Sequence, residues 1–225
     1  MKLYFHPVST TCRPILLFAA DEGLKLDTQV IDLFKGEHKQ PSYLAINCCG
    51  QVPLLEDGDF RLSESSAILK YLAEKTGSRA YPAGARERAR VNEAMDWFNT
   101  GLYRDLGYGL VYGQTLPDFI YSDAAVQSAS LARAQSKARR WLDVLDRNLI
   151  GPDRKFICGN DITLADYLGV CFLTVGEVVR LRFDEWPNVT RWIQGMKARP
   201  NWAKVNEGFY QYFVGGYKDG KFIGL

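Results

Sequence analysis

Residues 50–68 have the sequence GQVPLLEDGDFRLSESSAI, in which two short apolar runs flank an Asp-Gly pair. An Asp-Gly pair between apolar runs favours a tight hairpin turn. We therefore predict two antiparallel strands that meet at Asp57 and Gly58. Ser63 is a natural N-cap, so we expect a helix that carries Ile68 on its apolar face to follow the second strand.

The residues before this hairpin alternate between short apolar runs and helical patterns. Residues 3–5 predict a buried strand, and residues 14–20 predict a buried helix with Gly23 just beyond its end. Residues 30–33 predict a second strand, and residues 42–46 a short helix or irregular turn. The resulting order, β-α-β-α-β-β-α, is that of a thioredoxin-like α/β domain.

The character of the chain changes after residues 78–86, a linker with Pro82 and Gly84. From there on, long helical patterns dominate, and Thr163 followed by Asp166 resembles a capping box. The sequence thus predicts a thioredoxin-like domain over residues 1–79 and an all-α helical bundle domain over residues 87–225.

Composition excludes several classes of protein. The 225 residues have a net charge of +2, and the basic residues are scattered among acids, which argues against nucleic-acid binding. No apolar run approaches the ~18 residues that a membrane-spanning helix needs, and no signal peptide is visible. We expect a soluble, cytoplasmic protein without a membrane partner.

The cysteines and histidines do not suggest a metal site. Five cysteines are present, at positions 12, 48, 49, 158 and 171, and their spacings match no zinc pattern. The only two histidines, His6 and His38, are far apart in the sequence. We therefore expect no metal cofactor, and we interpret most of the cysteines as small buried residues in a reducing compartment.

The first chemical motif is Ser9-Thr10-Thr11-Cys12, between the first strand and the first helix. Thioredoxin-like proteins place a Cys-x-x-Cys redox pair here, and Ser9 replaces its first cysteine. A serine hydroxyl can donate a hydrogen bond to a bound thiolate. One charge-assisted bond of roughly 1.5–3 kcal/mol lowers a thiol pKa by about one to two units. The alternative is that these hydroxyls merely cap the helix.

Two further motifs lie in the stretch from residue 50 to residue 68. Val52-Pro53 is a candidate cis bond that would leave the Val52 N–H and C=O free to pair with an extended peptide, although an ordinary trans bond is the alternative. Glu64 and Ser65, at a helix start, could hold an ammonium and a carboxylate, although plain capping would also explain them. Together the three motifs would bind a thiol, a peptide backbone and an amino-acid head group in line, as glutathione requires.

The chain resembles the cytosolic glutathione transferases, in particular the theta-like and bacterial serine-type members, over almost its full length. The stretches that match are LYFHPVSTTCRPILLFA, residues 32–75, ERARVNEAMDWF and FICGNDITLADYLG. The resemblance implies the glutathione transferase fold, glutathione as co-substrate and a homodimer. It also implies that the enzyme activates the glutathione thiol for attack on a small electrophile, by conjugation, dehalogenation or peroxide reduction, in detoxification.

The resemblance also implies roles for individual residues. Ser9 would activate the thiol, and Val52-Pro53 would hold the cysteinyl backbone. Glu64 and Ser65 would hold the γ-glutamyl end. The residues implied near the glycyl carboxylate are His38, Lys39 and Gln51, and the candidates for the electrophile site are Val8, Tyr103, Arg104, Tyr108 and Tyr112.

Several alternatives stay open from the sequence alone. Thr10 or Cys12 could share or replace the role of Ser9, and Tyr4 is a competing activator for which alternation favours a core or interface position. The protein could be a non-catalytic glutathione-binding or regulatory protein of the same fold, or a thiol-disulfide reductase that uses Cys12. Vicinal Cys48 and Cys49 are interpreted as buried or incidental, and the aromatic tail from Phe209 to Leu225 as a lid or a surface segment.

Overall fold

The computed structural model describes all 225 residues. A four-stranded mixed sheet has the order β2-β1-β3-β4, with β1 parallel to β2 and antiparallel to β3. The strands are β1 (Lys2–Phe5), β2 (Asp27–Val30), β3 (Leu54–Asp57) and β4 (Phe60–Ser63). The helices of this first part are α1 (Arg13–Asp21), α2 (Pro41–Leu44) and α3 (Ser65–Thr76). This is the thioredoxin-like arrangement that the sequence predicts.

The sheet is covered on both faces because β1 alternates between two apolar clusters. Leu3 is fully buried in the main core, which extends into the helical part of the chain. Tyr4 points to the opposite face, into a smaller cluster that includes Cys12 and Tyr43. The Tyr4 and Tyr43 rings meet edge to face, with centroids 6.1 Å apart. Tyr4 therefore has the core position that alternation favoured.

The hairpin forms where the sequence predicts it, with Asp57 paired to Phe60 and Gly58 at φ +65° between them. The helix start after it differs from the prediction. Ser63 is the last residue of β4, and Glu64 is the N-cap of α3. Ser63 was the wrong N-cap because β4 continues its pairing with Leu54 up to that residue.

The second strand also lies earlier than predicted, at Asp27–Val30 instead of residues 30–33. All four of its residues are exposed, because β2 is an edge strand. Ile31 follows the strand and buries its side chain in the smaller cluster. The apolar pattern thus marked the end of the strand, whereas pairing with β1 sets its bounds.

The remainder of the chain is helical. Helix α4 (Ala85–Trp97) continues without interruption into a π-helical segment (Phe98–Tyr112), and α5 (Gly113–Thr115) ends it. The other helices are α6 (Ala124–Val144), which continues as a π segment (Leu145–Ile150), α7 (Leu164–Thr174), α8 (Pro187–Lys197) and α9 (Trp202–Gly208), which continues as a π segment (Phe209–Val214). No helix is long and apolar enough to cross a membrane.

The predicted capping box at the start of α7 is present, with Thr163 as N-cap and Asp166 at the third helical position. Helix α7 is buried along its whole length and packs against α1. The Phe18 ring meets the Tyr167 ring edge to face, with centroids 5.5 Å apart. This contact holds the C-terminal half of α1 against the helical part, and Arg13 at the other end of α1 donates to Thr174 Oγ1 of α7.

Candidate functional site

A cavity of about 460 Å³ lies between the sheet part and the helical part of the chain. One wall consists of the turn after β1, the segment before β3 and the start of α3. The opposite wall consists of the π-helical segment Phe98–Tyr112 and the residues that follow it. The lining residues from the sheet part include Val8, Ser9, Thr10, Thr11, Leu33, Phe34, His38, Gln51, Val52, Pro53, Glu64 and Ser65.

Ser9 lies in the turn that leads into α1. Its Oγ accepts a hydrogen bond from the Cys12 N–H at 3.3 Å and lies 3.1 Å from Thr11 Oγ1. Thr11 Oγ1 in turn donates to the Val52 carbonyl at 3.2 Å. Because the single proton of the Thr11 hydroxyl is donated to Val52, the hydrogen bond between Ser9 and Thr11 is donated by Ser9. Ser9 therefore helps to start the helix and also lines the cavity.

The Val52-Pro53 bond is cis. The Val52 N–H has no partner within the chain, but the Val52 carbonyl accepts from Thr11. The prediction that both groups are free is thus wrong for the carbonyl. The neighbouring Gln51 carbonyl accepts from Tyr43 Oη at 2.7 Å and from Asn47 Nδ2 at 2.8 Å, which fixes the segment that presents Val52 to the cavity.

Glu64 and Ser65 lie together at the start of the 12-residue helix α3. Glu64 has φ +67° and ψ +117°, a conformation that residues with a side chain rarely adopt. Its side chain is exposed and lines the cavity, whereas Ser65 is buried at the cavity wall. The free N–H groups of a helix start favour a bound carboxylate, and the Glu64 carboxylate favours an ammonium.

The residues predicted near the glycyl end separate into two groups. His38 and Gln51 line the cavity. Burial lowers the pKa of His38, and its Nδ1 is buried without a hydrogen-bond partner. Lys39 does not line the cavity: its side chain is exposed, and its Nζ lies 3.8 Å from the Asp118 carboxylate. Since Asp118 itself lines the cavity, Lys39 lies at its edge, and its contact with the glycyl end stays a prediction.

The alternatives to Ser9 have different environments. Cys12 is fully buried in the smaller apolar cluster, away from the cavity lining, and burial raises the pKa of its thiol to about 12. Tyr4 is also absent from the lining. Thr10 lines the cavity, and its Oγ1 accepts from Tyr112 Oη at 2.9 Å. Only Ser9, Thr10 and Thr11 thus bring a hydroxyl to this part of the wall.

Three of the predicted tyrosines line the opposite wall, and π-helical winding explains why. Tyr103 and Tyr112 are nine residues apart, which is two and a half turns at 3.6 residues per turn, so an α-helix would place them on opposite faces. In a π-helix, with i→i+5 bonds, nine residues make about two turns. The phenolic oxygens of Tyr103 and Tyr112 accordingly lie 2.7 Å apart, and the Tyr108 ring packs edge to face against both of their rings.

Arg104 has a different position from the three tyrosines. It does not line this cavity but a neighbouring one, which also includes Gln127 and Ser130. Its guanidinium pairs with the Asp105 carboxylate at 2.9 Å and is about half exposed. Because Arg104 follows Tyr103 directly, the winding that turns Tyr103 toward the cavity turns Arg104 away from it.

The sequence missed several apolar residues of the cavity. Phe34 enters from the loop after β2, and Phe213 from the π segment after α9. The other missed apolar residues are Leu33, Leu116, Pro117 and Phe119. Phe34 lies two residues before Gly36, and an aromatic residue in a glycine-containing loop is a signal that could have identified it. Nothing local in the sequence marks Phe119 or Phe213 as cavity residues.

The tail from Phe209 to Leu225 has two parts: Phe209 and Phe213 are buried, and the end of the tail packs on the helical surface. Ile223 exchanges hydrogen bonds with the Gln114 side chain, and the Gly224 carbonyl accepts from Gln135 Nε2 at 2.9 Å. Of the tail, only Phe213 reaches the cavity. The start of the tail thus contributes to the cavity wall, and its end is a surface segment.

Cys48 and Cys49 are both exposed free thiols, and Cys49 lies at the cavity edge. Of the two readings, buried or incidental, the structure excludes burial, because the turn before Gln51 leaves both side chains exposed. The hydrogen bond with Cys48 raises the pKa of Cys49.

Comparisons with known proteins agree with this geometry. Residues 1–74 match the model of the glutathione S-transferase N-terminal domain, and residues 115–200 that of the C-terminal domain. The chain is 36% identical to human glutathione S-transferase theta-2 over 173 residues, which are 76% of this chain and 69% of the relative. It is 33% identical to glutathione S-transferase theta-1 of Bos taurus over 88% of this chain and 82% of the relative.

Solved structures give the same picture. The crystal structure of human glutathione transferase theta-2 in complex with glutathione and an unknown ligand superimposes with a TM-score of 0.83 at 28% identity, over 96% of this chain and 88% of that one. A delta-class glutathione transferase of Nilaparvata lugens superimposes with a TM-score of 0.79 at 31% identity, over 96% and 98% of the two chains.

Proposed function

The chain belongs to the glutathione S-transferase family as a theta-like member, and from this premise we propose that Ser9 activates the thiol of glutathione bound in the cavity between its two parts. The protein is a glutathione transferase with a thioredoxin-like part and a helical part. The observation that supports the role of Ser9 most directly is the position of its hydroxyl. It lies at the start of α1, on the same cavity wall as Val52 and Ser65.

Stabilising the sulfur anion is what accelerates the reaction. A free thiol has a pKa of about 8.5, so most of it is protonated at neutral pH. A hydroxyl that donates to the sulfur contributes roughly 1.5–3 kcal/mol, or about one to two pKa units. The first-turn N–H groups of α1 add a favourable field, since α1 starts beside Ser9. The thiol proton leaves to solvent.

Ser9 must exchange one acceptor for another when the ligand binds. In the ligand-free chain Ser9 donates to Thr11. Turning the O–H bond toward the sulfur replaces a neutral acceptor by a charged one, and charge-assisted hydrogen bonds are roughly twice as strong as neutral ones. The exchange is therefore favourable, and it needs no backbone movement because only the hydroxyl rotor turns.

The other parts of glutathione have matching groups along the same wall. The γ-glutamyl ammonium fits the Glu64 carboxylate, and the γ-glutamyl carboxylate fits Ser65 at the start of α3. The cysteinyl backbone fits the unpartnered Val52 N–H beside Pro53. His38 and Gln51 are left for the glycyl end, and Lys39, which pairs with the cavity residue Asp118, adds a positive charge at the cavity edge.

The electrophile fits the aromatic wall opposite. In conjugation or dehalogenation, the sulfur forms a bond to carbon while the leaving group departs with the electron pair. In peroxide reduction, the sulfur takes up the distal oxygen and an alcohol is released. Val8, Tyr108 and Phe119 lie where an apolar substrate would contact them, and burial raises the pKa of Tyr108, so the phenol is neutral at physiological pH.

The two alternatives explain less of the geometry. A reductase would need an accessible thiolate, whereas Cys12 is fully buried and its pKa is about 12. A non-catalytic binding protein would not need a hydroxyl beside the sulfur position. We further propose that the protein is a homodimer. We also propose that the sheet domain spans residues 1–79 and the helical domain residues 87–225.

Glutathione-dependent turnover of an aryl halide and of cumene hydroperoxide tests the proposal, with wild type, Ser9→Ala and Cys12→Ala compared. We expect Ser9→Ala to lose about 10- to 150-fold in kcat while its binding to immobilised glutathione is retained. Cys12→Ala should keep its turnover. Loss of activity in Cys12→Ala but not in Ser9→Ala would support a reductase, and failure of wild type to bind glutathione would support a regulatory role.

A further inference from the structure

A row of three hydroxyl groups, those of Tyr103, Tyr112 and Thr10, crosses from the helical wall of the cavity to the wall that carries Ser9. Tyr112 Oη donates to Thr10 Oγ1 at 2.9 Å, and the oxygens of Tyr103 and Tyr112 lie 2.7 Å apart. Since the Tyr112 proton is used on Thr10, the Tyr103 proton is donated to Tyr112. Burial raises the pKa of both phenols, so both keep their protons at neutral pH.

This row of hydroxyls ends at Thr10, whose own hydroxyl proton is not donated in any hydrogen bond of the structure. A hydroxyl has one donor and two acceptor positions, and Thr10 Oγ1 takes part in a single hydrogen bond, in which it accepts. Thr10 is only 2% exposed, but it lines the cavity next to Ser9. Ser9 differs, because its own proton is donated to Thr11. Of the two hydroxyls that lie side by side at the start of α1, Thr10 is therefore the one whose proton is not donated to a neighbouring hydroxyl.

We propose that the Thr10 hydroxyl is a second hydrogen-bond donor to the glutathione sulfur, polarised through Tyr112 and Tyr103. The proposal rests on the proposed function, in which the sulfur binds beside Ser9. Successive hydrogen bonds polarise one another, so a hydroxyl that accepts from Tyr112 becomes a stronger donor. The thiolate then accepts from Ser9 and Thr10 together.

A buried positive charge, that of Arg13, lies near this row of hydroxyls. Arg13 is fully buried on α1, none of the ion pairs includes it, and its Nη1 has no hydrogen-bond partner. Its other nitrogens donate to Asn206 Oδ1 at 2.7 Å and to Thr174 Oγ1 at 2.6 Å. Burial raises the pKa of Tyr112, and its hydrogen bonds with Thr10 and Tyr103 oppose that rise more than the Arg13 charge does.

Other titratable groups face the site from several elements. The groups that line the cavity are His38, Cys49, Glu64, Tyr103, Tyr108, Tyr112 and Asp118, and the buried groups that face Arg13 are Tyr112, Cys171 and Tyr210. Of these, Glu64 and Asp118 are the carboxylates, and they oppose a thiolate. A second hydrogen-bond donor at the sulfur would offset the repulsion between these carboxylates and the thiolate.

The test is the pH profile of kcat/KM for an aryl halide at saturating glutathione, in wild type, Thr10→Val, Thr10→Ser and Tyr112→Phe. Valine keeps the shape of threonine but removes the hydroxyl. We expect Thr10→Val to move the acidic limb of the profile up by about one pH unit, which is a tenfold loss of kcat/KM on that limb. Tyr112→Phe should move it in the same direction by less, and Thr10→Ser should keep the wild-type profile.

The outcomes separate this proposal from the proposed function. A Thr10→Val or Tyr112→Phe profile that falls equally at all pH values, with the limb unmoved, would show a purely structural role and overturn the proposal. If Ser9→Ala moves the limb and Thr10→Val does not, Thr10 is not a donor, and the role of Ser9 stands. If Thr10→Val folds poorly, the Tyr112→Phe profile decides, because Tyr112→Phe removes the polarising donor and leaves Thr10 intact.

Discussion

Trp192 Nε1 donates a hydrogen bond to Asp166 Oδ1 at 2.9 Å, although 26 residues separate the two side chains. Asp166 is fully buried and accepts three further bonds, from the Ile157 N–H at 2.9 Å, the Thr163 N–H at 2.8 Å and Thr163 Oγ1 at 2.9 Å. One carboxylate thus joins the loop before α7, the start of α7 and helix α8.

We predict that Asp166→Ala lowers the free energy of unfolding by about 3–5 kcal/mol, because it leaves several buried donors without an acceptor. Chemical denaturation followed by circular dichroism measures the change. Exposed Asp161, which forms no hydrogen bond through its side chain, gives a matched control, and Asp161→Ala should change stability by no more than about 0.5 kcal/mol. Equal effects of the two substitutions would contradict the structural role of Asp166.

The backbone of Glu64 makes a different prediction, in which stability and binding change in opposite directions. Its φ of +67° is positive, and glycine adopts positive φ at a lower cost than a residue with a side chain does. We expect Glu64→Gly to raise the free energy of unfolding by about 1 kcal/mol, as relief of strain exceeds the entropy cost of glycine. The same variant should lose roughly 10- to 150-fold in glutathione affinity, since the ammonium loses its carboxylate.

Glu64→Gln separates the two effects, because it keeps the backbone strain and removes only the charge. Its stability should equal that of wild type, and its glutathione affinity, measured by calorimetry, should fall as in Glu64→Gly. A Glu64→Gly variant less stable than Glu64→Gln would show that the conformation is not strained.

The aromatic wall and Arg104 give a matched pair of substitutions on the helical side. Phe119 lines both the main cavity and the neighbouring one, whereas Arg104 lines only the neighbouring cavity and pairs with Asp105. We expect Phe119→Ala to raise KM for an apolar aryl halide by about 5- to 30-fold, because apolar contact with the substrate is lost. Arg104→Ala should leave KM within about twofold, and a larger rise for Arg104→Ala than for Phe119→Ala would place the electrophile in the neighbouring cavity.

The features that the sequence predicts well are the ones with local causes. The turn at Gly58 and the capping box of Thr163 and Asp166 depend on residues at most three positions apart, and both are present. The conformation of Glu64 was not predictable in this way, because nothing in its neighbourhood marks a positive φ. It is set by the junction between β4 and α3.

The candidate site shows the same division. Tyr103, Tyr108 and Tyr112 were chosen as a group, but only the π-helical winding brings Tyr103 and Tyr112 together and sends Arg104 elsewhere. Phe213 reaches the cavity from a segment that lies more than 200 residues after Val8. Contacts of that range leave no periodic pattern in the sequence, so only the folded chain reveals them.

The pKa of the bound glutathione thiol tests the central claim most directly. It can be read from the ultraviolet absorbance of the thiolate while the pH of the enzyme-glutathione complex is varied. In wild type we predict a value about one to two units below the ~8.5 of a free thiol, and in Ser9→Ala a value about one unit higher than in wild type, with glutathione still bound. The same thiol pKa in both proteins would contradict the role of the Ser9 hydroxyl.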